Sequence, residues 1–188
     1  MTYIKDIKKA ISAVKEPYCK WEDWYNGDYT MLEHVFCYEF YHQFRKLMGK
    51  PKNRSKYRTL YFHGEITKYL DSKTKEPDFV LHSGQDNFIN QAVVIEVKTK
   101  VRIEQNQKDC NMDIDIKKLL SLMKKDGLAF KYGVFIGVNC NSDYLKKKIE
   151  GKFDSYKDLF NNLYIIGTED NVPFTLASLF ELRRADNR

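Results

Sequence analysis

Pro77-Asp78-Phe79-Val80-Leu81-His82, followed by Val93-Val94-Ile95-Glu96-Val97-Lys98, decides how this chain is read. Both runs are short and rich in β-branched and aromatic residues, the composition of strands. Strand side chains alternate faces, so Glu96 and Lys98 share one face while Ile95 and Val97 take the other. Asp78, Val80 and His82 share a face in the same way, with Phe79 and Leu81 opposite. A Glu and a Lys two positions apart inside a Val/Ile run need a reason, because charges are rarely buried unpaired. A hard cation such as Mg²⁺ supplies one, taking carboxylate oxygens from Asp78 and Glu96 and keeping waters of its own. Cross-strand Glu/Lys pairs on an exposed sheet face are the alternative.

Outward from this stretch, the hydrophobic period alternates between helix and strand. Ile4, Ile7, Ile11 and Val14 recur at helical spacing, so residues 2–15 read as an amphipathic helix stopped before Pro17. Trp21, Trp24 and Tyr25 form an aromatic loop that closes on Asn26-Gly27-Asp28. Thr30 and Glu33 read as a capping box opening a helix that runs to about Met48. A basic loop follows (Lys50, Lys52, Arg54, Lys56, Arg58), then three strand-like segments at about 57–67, 77–82 and 91–100. Ile116, Leu119, Leu120 and Met123 return to helical spacing over 113–126, and Tyr132 to Val138 is a short apolar strand. Beyond it come short helices at 142–150 and 155–161, a strand at 163–166 and a last helix at about 176–184. The order predicts an α/β protein with a mixed sheet flanked by helices.

Pro-Asp, an interval, and then Glu-x-Lys on a hydrophobic strand resembles the PD-(D/E)XK phosphodiesterase superfamily, which has the restriction-endonuclease-like fold. The core of that family is αβββαβ, and the element order from residue 30 to about 138 is similar to it. The resemblance implies one nuclease-like domain over 1–188, with an extra N-terminal helix in 1–29 and an αβα extension in 139–188. It also implies a metal-dependent DNA endonuclease. Asp78 and Glu96 would hold Mg²⁺ (or Mn²⁺) together with the Val97 carbonyl, and Lys98 would assist the attacking water. Relatives often add an acidic residue from the first core helix, and here Glu33 and Glu39 are the candidates. Glu33 is assigned to the capping box. Glu39 falls between Val35 and Leu32 at 100° per residue, with Gln43 one turn on, and is the choice; a buried Glu39–Gln43 hydrogen bond is its alternative. Asp115 and Lys118 match a supporting helix beside the site, or form a plain i,i+3 ion pair. Glu65 points at the site or pairs with Lys68. His82 reads as a structural residue at a strand end.

Composition bounds the rest. With 43% hydrophobic and 14% aromatic residues among 188, the chain has the material for a real core. Net charge is +6, which suits a polyanion such as DNA, and the loop from Lys50 to Arg58 is the natural place for phosphate contacts. Solvated surface is the other reading of that loop. Cys19, Cys37, Cys110 and Cys140 form no CxxC pair, so neither zinc nor a disulfide framework is expected. No run approaches the ~20 apolar residues of a membrane span, and a cytoplasmic protein is expected. A homodimer would suit a duplex cutter. A fold that keeps nucleic-acid binding or an assembly role without activity is the competing function.

Overall fold

The computed structural model describes residues 2–18, 21–22, 29–30, 33–70, 73–84, 90–100, 112–124, 128–149, 161–168 and 179–182. Its centre is a six-stranded sheet built from β3 (Tyr61–Gly64), β6 (Phe79–His82), β7 (Val93–Thr99), β8 (Tyr132–Val138), β9 (Leu163–Thr168) and β10 (Leu179–Leu182), in the order β10-β9-β8-β7-β6-β3. The pairs β3·β6, β6·β7 and β9·β10 are antiparallel, while β7·β8 and β8·β9 are parallel. The sheet is therefore mixed, as the element order predicts. Two small hairpins stand apart from it, β1 (Trp21–Glu22) with β2 (Tyr29–Thr30) and β4 (Lys68–Leu70) with β5 (Lys73–Lys75).

Helices cover both faces because alternating strand residues are apolar on both sides. On one face, α1 (Thr2–Ile11) and α2 (Glu33–Met48) pack over Phe62, Phe79, Leu81, Ile95 and Val97. The α1 contribution is Ile4, Ile7 and Ile11, all buried. From α2 comes an i,i+4 stripe of Phe36, Phe40 and Phe44, each fully buried, with Phe44 and Phe62 ring centroids 4.5 Å apart. On the other face, α4 (Met112–Met123) and α5 (Ser142–Ile149) pack over Val80, Val94, Phe135 and Ile165. Gly133 in β8 lets α4 come close: a Cβ there would overlap Met123 Sδ. A one-turn helix, α3 (Arg54–Tyr57), follows a 3₁₀ turn at Pro51–Asn53 inside the basic stretch. It is tied to α1 through Asp6, which accepts hydrogen bonds from Tyr57 Oη at 2.9 Å and Lys56 Nζ at 2.5 Å.

Several expectations give way here. The first helix ends at Ile11, with Val14 buried in the turn after it. The second is described from Glu33, whose carboxylate accepts from Lys98 and from the Thr99 N–H. Thr30 pairs with Trp21 in the β1·β2 hairpin, and the start of the expected capping box lies outside the described residues. The strand expected over 57–67 is confined to Tyr61–Gly64; Glu65 turns the chain with a φ of 52° and donates its N–H to the Asp78 carbonyl at 3.0 Å. The last expected helix, 176–184, is a strand where it is described: β10 pairs with β9, because the free edge of the sheet offers backbone partners that override helical spacing. The extension after β8 is thus α5, β9 and β10 in its described parts, and the helix expected at 155–161 lies outside the described residues.

Candidate functional site

The register of β6 on β7 pairs Phe79 with Ile95 and Val80 with Val94. One step further along that register Asp78 comes opposite Glu96. The Glu96 side chain meets Lys118 of α4, while Asp78, in the bend before β6, lies beside Glu33 and Cys37 of α2. Asp78 lies just outside the ladder, and its carboxylate takes over the ladder's role there: Oδ2 accepts the Val97 N–H at 2.7 Å. Within a strand a residue's N–H and C=O point to the same neighbour, so the Val97 carbonyl faces the same edge.

Four elements converge at this corner. Glu96 is completely buried, and the Lys118 ammonium from α4 lies 2.8 Å from its Oε2. That contact is a close, charge-assisted pair, whereas Glu96 Oε1 has no hydrogen-bond partner among the described residues. Asp115 Oδ2 is orphaned in the same way. Lys98 Nζ sits 3.3 Å from Glu33 Oε1 and 3.7 Å from Asp115 Oδ2. Lys118 also lies 3.8 Å from Asp115 Oδ1 and donates to the Glu76 carbonyl at 3.1 Å. Four carboxylates (Glu33, Asp78, Glu96, Asp115) thus face two ammonium groups (Lys98, Lys118), an excess of two negative charges when all are ionised.

The electrostatics follow from this crowding. Burial, and next the Asp78 carboxylate, push the Glu96 carboxyl well above its usual range, against the pull of Lys118. Asp78 is raised by burial too, despite the Val97 N–H and the two lysines. Asp115 is raised by burial against the same two lysines. Burial works against the Lys98 cation, yet Asp115, Glu33 and Asp78 together outweigh it and hold the amine protonated beyond its usual range. Lys98 is therefore a fixed cation and hydrogen-bond donor at this corner.

A cleft of about 290 Å³ opens beside Asp78, lined by Glu33, Cys37, Tyr38, Tyr41, Glu65 and Phe79 among others. The Cys37 thiol in its wall is pushed up by burial and then by the Asp78 and Glu33 carboxylates. Cys37 and Cys140 are both free thiols, and Cys19 and Cys110 lie outside the described residues.

The residues singled out in the sequence are not all gathered here. Asp78, Glu96, Lys98, Asp115 and Lys118 are brought together, with Glu65 on the cleft wall. Glu39 and Gln43 are not. Gln43 Nε2 donates to Glu39 Oε1 at 2.6 Å, and His42 Nδ1 lies 3.1 Å from Glu39 Oε2. Burial raises the Glu39 carboxyl, but those two hydrogen bonds outweigh it and the net direction is downward. The buried stripe of α2 is Phe36-Phe40-Phe44 and not a face centred on Val35, which turns Glu39 away from the cleft side. Glu33 is the helix carboxylate at the corner, accepting from Lys98 and from the Thr99 N–H at 3.3 Å. Its signal was available in the spacing Glu33-Cys37-Tyr41, one i,i+4 face adjoining the Phe stripe. His82 is fully buried, 2.7 Å from the Gly84 carbonyl and 2.9 Å from His63 Nδ1. Of the basic loop, Lys50, Lys52, Arg54 and Arg58 are exposed, while Lys56 is held by Asp6.

No family model, curated protein or solved structure matches this chain. Among the described residues, no group of three or more His, Cys, Asp and Glu side chains converges in a way that could hold a metal ion, and no helix is long and apolar enough to cross a membrane.

Proposed function

We propose that this chain is a metal-dependent nuclease of the PD-(D/E)XK kind, hydrolysing phosphodiester bonds in DNA. The observation that carries the reading is the buried corner itself. Asp78, Glu96 and Lys98 stand at neighbouring positions where β6 meets β7, with an excess of negative charge and, among the described residues, no hydrogen-bond partner for Glu96 Oε1 or Asp115 Oδ2. Such a cluster costs folding stability, so its use has to lie elsewhere. The order α2, β3-β6-β7, α4, β8 supports the same reading: an antiparallel three-strand meander followed by a helix and a parallel strand.

In this function, Asp78 and Glu96 would hold the cation with the Val97 carbonyl, and Lys118, now paired with Glu96, would compete with it for that carboxylate. When bound, Mg²⁺ or Mn²⁺ supplies Lewis acidity at the phosphoryl oxygen and a lowered pKa on coordinated water. Lys98, protonated and anchored by Glu33 and Asp115, orients the attacking water and stabilises charge on the phosphate. The helix carboxylate of this cluster is Glu33.

The test is cleavage of supercoiled plasmid with Mg²⁺ or Mn²⁺ by wild type, Asp78→Ala and Lys98→Ala. Loss of metal-dependent cleavage in both variants is expected; cleavage that survives either substitution sinks the assignment. One observation favours a second reading, a nucleic-acid-binding or assembly module without activity. Lys118 already sits at ion-pair distance from Glu96 and in part neutralises it. Calorimetric titration with Mn²⁺ separates the two, since only the nuclease gives binding heat that depends on Glu96.

A further inference from the structure

Away from the acidic corner, the chain from Arg45 to Gly64 contains no Asp or Glu and holds Arg45, Lys46, Lys50, Lys52, Arg54, Lys56 and Arg58. The fold does not spread these charges evenly. The end of α2, the α3 turn and the start of β3 enclose a cleft of about 470 Å³ into which Arg45, Arg54 and Arg58 are gathered, with Tyr57, Leu60 and Tyr61 among the other walls. All three arginines are exposed, and among the described residues none is paired with a carboxylate. Lys56, the neighbour that does have a carboxylate, is spent on Asp6. Tyr57 is buried, and its hydroxyl is committed to Asp6, which fixes the floor of the cleft. Tyr61 stands on the rim, 55% exposed, with its ring stacked on His63.

Three guanidinium groups held in one concave site, with no counter-charge among the described residues, repel each other, and the natural partner is a polyanion. Guanidinium forks match phosphate oxygens in pairs and are less strongly hydrated than ammonium groups, so arginine suits this role better than lysine. The cleft also has a defined relation to the acidic corner. Both lie along α2, with Glu33 at one end and Arg45 near the other, and the axial rise between them is about 18 Å. Along one strand of B-DNA that distance covers about five base pairs, at 3.4 Å per step. A smaller anion would fill the cleft but would not use this spacing.

We propose that the Arg45/Arg54/Arg58 cleft is a phosphodiester-backbone site for duplex DNA, gripping the duplex about five base pairs from the position where the acidic corner acts. The duplex as occupant and the spacing to the corner rest on the nuclease reading; the phosphate contacts of the three arginines rest on the cleft itself.

The test uses the full chain in EDTA with a fluorescent duplex of about 20 base pairs, measured by anisotropy over a range of salt concentrations. The triple variant Arg45→Gln/Arg54→Gln/Arg58→Gln is compared with Lys146→Gln/Lys147→Gln/Lys148→Gln on α5, which removes the same charge elsewhere. The arginine variant is expected to bind at least tenfold more weakly, with the slope of log K against log salt reduced by about 2 to 3, since each lost phosphate contact removes about 0.9. The lysine variant is expected to keep most of the affinity. Unchanged binding in the arginine variant overturns the proposal, and so does equal weakening in both variants, which would mean net charge alone. Circular dichroism and thermal melting confirm that both variants fold. If the arginine variant loses duplex binding while wild type shows no metal-dependent cleavage, the nuclease reading fails and the cleft stands. If cleavage is metal-dependent and the arginine variant keeps both its duplex affinity and its KM, the cleft fails and the nuclease reading stands.

Discussion

Glu96→Gln is expected to make the metal-free protein more stable. The wild-type carboxylate is fully buried, only its Oε2 has a close partner, Lys118, and Asp78 and Asp115 both repel it. Gln keeps the shape and removes the charge. Replacing a whole buried ion-pair cluster by neutral groups is often worth about 1–4 kcal/mol, while removing one partner of a pair works the other way. Lys118 keeps Asp115 and the Glu76 carbonyl as partners after the change, but it loses its closest anion. The lower part of the range therefore applies, about 1–2 kcal/mol, or a rise in Tm of about 2–8 °C for a chain of this size. The sign with pH follows from the direction of the shift. A carboxyl raised above its ordinary 4.5 in the folded state contributes its full stability below that pH, and loses it as pH rises through the folded-state value. The gap between Glu96→Gln and wild type should thus be small below about pH 4.5 and open as pH rises. Thermal melts in EDTA across that range, with urea titrations at the ends, make the measurement. A variant less stable than wild type at neutral pH, or a gap indifferent to pH, would refute the reasoning and make Glu96 a satisfied structural partner of Lys118. Mn²⁺ adds a second arm. At about a hundredfold excess over Kd it should stabilise wild type by about 2.7 kcal/mol and leave Glu96→Gln unmoved.

Other consequences are simpler. Glu33→Ala should depress metal-dependent cleavage while Glu39→Ala leaves it near wild type; the opposite ranking in a plasmid assay would return the helix carboxylate to Glu39. Phe40→Ala empties the middle of the aromatic stripe against Phe62 and Phe79 and should cost about 3–5 kcal/mol in urea unfolding. Gly133→Ala forces Met123 aside under α4; because a thioether end can move, about 1–2 kcal/mol is expected, read as a lower Tm. Cys37, held protonated by burial and by Asp78 and Glu33, should react slowly with iodoacetamide at pH 8 in the folded protein and rapidly in urea, as mass spectrometry would show.

How much of the site was legible depended on the range of the interaction. Strand alternation placed Glu96 with Lys98 and put Ile95 and Val97 behind them, and the burial of the two faces agrees. The helix carboxylate was not legible, because a face count needs the correct centre. Val35 and Leu32 suggested one face, but three phenylalanines bury far more area and set another. The capping-box reading hid the role of Glu33 for a related reason. Thr-x-x-Glu is a local pattern, and it says nothing of Lys98 and the Thr99 N–H, contacts from a distant strand that the Glu33 carboxylate accepts.

By itself, then, the sequence determined the α/β class, the position of most helices and strands, and the shared face of Glu96 and Lys98. All of these rest on hydrophobic period and alternation within a few residues. Tertiary structure decided the rest. It set Asp78 opposite Glu96, brought Glu33 from α2 and Lys118 from α4 to the same corner, and made the last described segment a strand. It also gathered three arginines of the basic stretch into one cleft and gave Lys56 to Asp6. Each of these depends on strand register or helix rotation, which are fixed by the packing of the whole core and leave no local trace in the chain.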